Sequence, residues 1–194
     1  MATILMFHHV QGLTPGMHAF ADRLRTAGHE VHVPDLFDGR TFASIPEGFA
    51  YRKGVDVDAL ADAAAAALPT DLVYAGFSLG AMPAQRLAQT RAGARAALLF
   101  EACAPLGDDG FGPWPPDVPA QIHGMDADEF FVGDGDVVAA ERIVQTVPGS
   151  ELHLYPGDGH LFSDSSLPSY DPAATELLVE RVLAFLESLD GDPR

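Results

Sequence analysis

The 194-residue sequence predicts an α/β fold, three layers deep, around a six-stranded and mostly parallel sheet. Three observations predict it. Short apolar runs alternate with longer helical patterns from one end of the chain to the other. The apolar runs lack the polar alternation of half-exposed strands, as expected where both faces of a parallel sheet are covered. The pentad Gly76-Phe77-Ser78-Leu79-Gly80 stands where a strand gives way to a helix.

In chain order, residues 3–7 read as a buried strand. Thr14 and Pro15 then cap and open a helix whose apolar face carries Met17, Phe20 and Leu24, with Gly28 closing it. Residues 30–33 form a second strand ended by Pro34, and 55–68 an alanine-rich helix stopped by Pro69. A third strand over 71–75 runs into the glycine-flanked Ser78. A helix follows over 79–90, with Pro83 near its first turn, where a missing N–H costs least. Residues 95–100, 120–123 and 151–155 are strands four to six, with a helix over 136–146 between the last two. Asp171-Pro172 opens a terminal helix with Leu178, Val182, Phe185 and Leu189 on one side. Two segments, 35–53 and 104–119, lack regular patterning and are predicted as long irregular loops. Both follow strand C-termini, where open α/β sheets bind ligands. One unit spanning 1–194 is expected, without a separate cap.

Composition narrows the function. Eleven Lys and Arg against 28 Asp and Glu give a formal charge of −17. This excludes nucleic-acid binding, which needs a basic surface, and argues against anionic membranes. With 47% hydrophobic and 20% charged residues, the chain has the means for a full core. Cys103 is its only cysteine, so no intrachain disulfide forms. No targeting segment is recognisable, and no run approaches the ~20 apolar residues of a membrane span. The expectation is a soluble cytoplasmic protein.

Ser78 carries the chemistry. A nucleophile raised on a tight strand-to-helix turn needs small residues two places to either side, and Gly76 and Gly80 supply them. The backbone N–H of Leu79 then faces the place where an oxyanion would develop. Such a serine needs a base and an orienting acid, in the chain order Ser, Asp or Glu, His. His160 lies in the expected place, after the last strand. For the acid, Asp126, Asp128, Glu129, Asp134 and Asp136 are all available, and Glu101 at the end of the fourth strand is an alternative. These acids lack regular calcium-loop spacing, and Gly133-Asp134-Gly135 lacks the third glycine of a dinucleotide loop.

The segments Val33-Pro34-Asp35-Leu36-Phe37, Gly76-Phe77-Ser78-Leu79-Gly80, His123-Gly124-Met125-Asp126-Ala127-Asp128 and Gly159-His160-Leu161-Phe162 occur in the order found in the dienelactone hydrolase family. The chain resembles that branch of the α/β-hydrolases over nearly its whole length. The resemblance implies Asp128 as the triad acid, His160 as the base, and the N–H groups of Val10 and Leu79 as oxyanion donors. It also implies departures. Better-known members carry cysteine where this chain has Ser78, a glutamate where it has His9, and a carboxylate-binding arginine where it has Asp164, which would repel a carboxylate.

The expected function is hydrolysis of a small-molecule carboxylic ester or lactone through an acyl-enzyme, with no cofactor and no metal. Acyl transfer or perhydrolysis on the same residues, and a non-catalytic binding protein of the same fold, are the alternatives. His9, Phe37 and Trp114 are candidate pocket residues. His8 sits beside His9, and Phe42, Phe49 and Phe111 either wall the pocket or pin the loops. The sequence does not give the oligomeric state.

Overall fold

In the computed structural model, which describes residues 1–191, the apolar runs form six strands, all paired in parallel. They are β1 (Thr3–Phe7), β2 (Glu30–His32), β3 (Leu72–Phe77), β4 (Ala96–Phe100), β5 (Ala120–Met125) and β6 (Glu151–Tyr155). Their spatial order is β2-β1-β3-β4-β5-β6. Strands β3, β4 and β5 are buried at every position; β3 and β4 are apolar without alternation, whereas β5 buries Gln121 and His123, which hydrogen-bond each other at 2.9 Å.

Side chains of one strand still divide between two cores. In β1, Leu5 and Phe7 face one side, and Ile4 and Met6 the other. The Leu5 side is covered by α3 (Val57–Ala66), α4 (Ala81–Thr90) and α5 (Asp136–Thr146), through Ala61, Leu87 and Ile143 among others. The Ile4 side is covered by α1 (Pro15–Thr26) and α6 (Pro172–Gly191), through Phe20, Leu24, Leu178 and Val182. Each large aliphatic side chain buried this way contributes roughly 1.5–3 kcal/mol before entropy is counted. The Thr14 hydroxyl caps α1 by accepting from the Met17 N–H at 3.2 Å, and Asp171 caps α6 by accepting from the Ala174 N–H at 2.9 Å.

Two sequence expectations are corrected. The segment 35–53 is not irregular throughout: it contains α2 (Ile45–Arg52). Ser44 accepts from the Glu47 N–H, and the Glu47 carboxylate reaches back to the N–H of Ala43. An eight-residue helix has too few turns to display an apolar period, but its Ser-x-x-Glu start was readable. After β3 the chain does not enter α4 directly. Residues Ser78–Gly80 form a 3₁₀ turn, and α4 begins at Ala81. Segment 104–119 is irregular as predicted, with one bridge between Gly107 and Gly112. Among the described residues, no helix is long and apolar enough to cross a membrane.

The chain leaves β1 for β2 on one side and returns to β3 on the other. That reversal opens a crevice above the C-terminal ends of β1 and β3, where ligands of open α/β sheets bind. Residues 8–12 and Ser78 stand at its two lips.

Candidate active site

Phe77 is still extended, but Ser78 turns to a left-handed backbone with φ 49°, which projects its side chain out of the sheet. The flanking glycines make the turn possible. A Cβ on Gly76 would overlap the carbonyl of Gly80, and one on Gly80 would overlap the carbonyls of Phe7 and His8. The turn therefore packs backbone to backbone on the end of β1. Beneath it, Phe77 stacks on Phe100 at 4.2 Å, and Phe20 meets both rings edge-on.

His160 Nε2 lies 2.8 Å from Ser78 Oγ, and its Nδ1 lies 2.7 Å from Asp128 Oδ2. In the neutral ring Nδ1–H donates to Asp128 and Nε2 accepts from the serine hydroxyl. Asp128 is fully buried, and its Oδ1 accepts from the Phe130 N–H at 2.9 Å, which holds the carboxylate in one orientation. The Phe130 ring lies 4.6 Å from the imidazole. Burial disfavours the charged imidazole. The Asp128 hydrogen bond and the charges of Glu101, Asp128 and Asp136 outweigh it, so the His160 pKa is raised above the ordinary histidine value.

The other acids named from sequence do not reach the ring. Asp126 is exposed and accepts from the Gly157 N–H, tying down the segment before His160. Glu129 and Asp134 are exposed. Asp136 accepts from the Cys103 N–H at 3.0 Å. Glu101 is buried near His160 and Asp128 but hydrogen-bonds neither. Burial, with the Asp136 charge, pushes the Cys103 thiol well above its ordinary range, which disfavours the thiolate.

Val10 sits in a buried turn closed by the Gly12 N–H on the His9 carbonyl. Residues 36–48 press on this turn. Gln11 and Phe42 exchange two hydrogen bonds, and Gly48 of α2 packs so closely on the Val10 carbonyl that a Cβ there would overlap it.

The pocket expectations need correction. His9 is fully buried: its Nδ1 accepts from the Gln11 N–H, and its Nε2–H donates to Asp164 at 2.8 Å. It pins the Val10 turn from below and offers no free ring atom to a ligand. His8 is equally enclosed, donating to the His9 carbonyl and accepting from the Leu36 N–H, and burial lowers its pKa to about 4. Phe37 is buried against His8, Phe42 and Tyr51, so it anchors its loop instead of walling a pocket. Trp114 is buried too, with its Nε1–H on the Val118 carbonyl. Its accessible edge lines a cavity of about 590 Å³ between its own loop and α5. Asp164 is not an exposed repelling charge: His9, Thr14 and Ser166 all hydrogen-bond its carboxylate. Sequence reasoning missed this buried cluster, and it missed Phe130, whose only signal was an aromatic residue two places after Asp128.

A model described as the dienelactone hydrolase family matches residues 1–189. The chain belongs to the dienelactone hydrolase family. Solved structures agree on the fold. A dienelactone hydrolase-like promiscuous phosphotriesterase from metagenomic libraries is 20% identical, with TM-score 0.78, over 97% of this chain and 87% of that one. A thermophilic esterase from the planctomycete Thermogutta terrifontis, with propionate bound, is 19% identical with TM-score 0.62, over 94% of this chain and 83% of that one. No curated protein matches the sequence significantly. Membership makes this dienelactone hydrolase-family chain an α/β-hydrolase acting on small molecules, of the esterase or lactone-cleaving type.

Proposed function

We propose that this chain hydrolyses a carboxylic ester or lactone through an acyl-enzyme on Ser78. The unbroken hydrogen-bond chain from Ser78 Oγ through His160 to buried Asp128 carries the reading. In acylation, Ser78 Oγ bonds to the substrate carbonyl carbon and its proton passes to His160 Nε2. The tetrahedral oxyanion is held by the N–H groups of Val10 and Leu79. The carbon–oxygen bond to the alcohol then breaks, and His160 returns its proton to the departing oxygen. Water repeats the sequence in deacylation, releasing the acid and restoring Ser78. Asp128 keeps the ring in the productive tautomer and stabilises its charged form.

A fluorophosphonate tests this directly, because an ordinary serine hydroxyl is inert to it. Stoichiometric labelling is expected, mapping to Ser78 and lost in Ser78→Ala and His160→Ala. No adduct on the wild-type chain, or an adduct on another residue, would overturn the assignment.

A further inference from the structure

Glu101 is the first residue after β4, as Ser78 is the first after β3, and the two strands pair Phe100 with Phe77. The glutamate and the serine therefore leave the sheet at one level on adjacent strands. Both are left-handed, with φ 61° and 49°, and so is Leu161, next to His160, with φ 63°. Only Asp38 joins them among the described non-glycine residues. Three non-glycine residues held where glycine would sit at less cost thus converge on one site.

Glu101 is 1% exposed, and neither carboxyl oxygen has a well-formed hydrogen bond. The backbone N–H groups of Phe162 and Leu161 are turned toward it and favour its charged form, and its charged neighbours are His160 and Asp128. A buried, unsatisfied carboxyl is expensive, and glutamine would fill the same volume without the charge. The energetic return must come from what that charge faces. Burial raises the carboxyl to about 7, with the His160 charge opposing the rise and the Asp128 charge adding to it, so Glu101 carries its charge on the alkaline side of that value, where the plateau of activity lies.

We propose that Glu101 is a second acid acting on His160, a positioning residue whose buried carboxylate stabilises the imidazolium formed when the ring takes the Ser78 proton. The inference rests on the reading of Ser78 and His160 given above. As the Ser78 O–H bond breaks and the Nε2–H bond forms, positive charge spreads over the ring. Asp128 meets that charge through the Nδ1–H bond. Glu101 meets it through space in a medium of low dielectric constant, where the attraction is little screened. No proton moves to Glu101 and it touches no substrate. Asp136, at the start of α5, also faces the ring, but it is only half-buried and already holds the Cys103 N–H.

The test compares wild type with Glu101→Gln in two measurements. Nitrogen-15 NMR of the labelled His160 ring should show its titration midpoint falling by about one pH unit in the variant. The pH profile of kcat/KM on a neutral short-chain ester should change in two opposed ways. Its plateau should fall several-fold, up to about tenfold, while its acid limb moves to lower pH by the same amount as the NMR midpoint, with KM unchanged. Glu101→Asp, which keeps the charge, should hold the limb near its wild-type position. A purely structural role would lower the plateau and leave both midpoints in place, which would overturn the proposal. If Glu101→Gln does not fold, the wild type decides alone. Carbon-13 titration of the Glu101 carboxyl should then share an inflection with the His160 ring, as coupled groups do, and independent single titrations would overturn the coupling. Absent fluorophosphonate labelling sinks the reading of Ser78, whereas a labelled enzyme with an unmoved His160 midpoint sinks the role of Glu101 alone.

Discussion

A serine hydroxyl becomes nucleophilic only when its proton has somewhere to go, and the acceptor in contact with Ser78 Oγ is His160 Nε2, at 2.8 Å. What separates Asp128 from the acids around it is burial and orientation. Its one oxygen bonds the imidazole while its other is held by the Phe130 N–H. Asp128→Asn removes the charge and reverses the donor pattern toward Nδ1, so kcat should fall by about 10⁴-fold, as for the same change in a serine protease. Asp126→Asn, which loses only an acceptor for the Gly157 N–H, should cost less than about tenfold. Comparable losses in the two variants would show that the acid has been misassigned. The turn at Ser78 was legible because it leaves almost no freedom of residue type at ±2, and the contact of His160 with it was expected from the position of His160 after the last strand. Which carboxylate meets His160 was not legible from the residues alone, since a loop with several carboxylates does not reveal which one is buried. Only the family resemblance singled out Asp128.

At the scale of elements, the Val10 turn is held from two directions. Residues 36–48 press on it through Phe42 and Gly48, and His9 anchors it to Asp164 in the segment between His160 and α6. Neither clamp has a sequence period, so neither could be read before folding. His9 and Asp164 are 155 residues apart, and the sequence offered the first as a pocket residue and the second as a charge repelling substrate, not as partners. Hydrogen bonds from His9, Ser166 and Thr14 outweigh the cost of burying Asp164 and hold its pKa near 2. The unfolded chain titrates near ~3.9. A depressed folded pKa adds stability that is complete above the unfolded value and is lost as pH falls through the folded one. Asp164 should therefore contribute about 2.5 kcal/mol at pH 7, declining between about pH 4 and pH 2. Urea unfolding of wild type and Asp164→Asn across this range is the check. The stability difference should narrow by that amount on the acid side, and a gap that stays constant with pH would show that the carboxylate's charge contributes nothing.

Over the whole molecule, the sheet delivers Ser78, residues 8–12, Asp128 and His160 to one edge, and the chain's charge sets the field there. The formal charge is −17. Much of the basic complement is already engaged with acids: Arg86 with Asp58 and Asp62, Arg23 with Glu176, Arg25 with Asp22, and Arg95 with Asp190. Arg40 is placed differently. It lies over the Tyr51 ring at 5.2 Å, and its backbone carbonyl abuts Gly12 of the turn that carries Val10. Burial of Asp164 removes one negative group from the sequence argument, but Asp126, Glu129, Asp134 and Asp158 are exposed around the loops that bear Asp128 and His160. The potential at the crevice should be negative, so anionic substrates are steered away as well as held poorly. For matched esters differing only in a distal carboxylate, kcat/KM should favour the neutral one at low ionic strength. The margin should shrink as added salt brings the screening length to about 8 Å and below. An anionic ester turned over faster at low salt would reverse the argument and point to Arg40 as a cationic contact within the crevice.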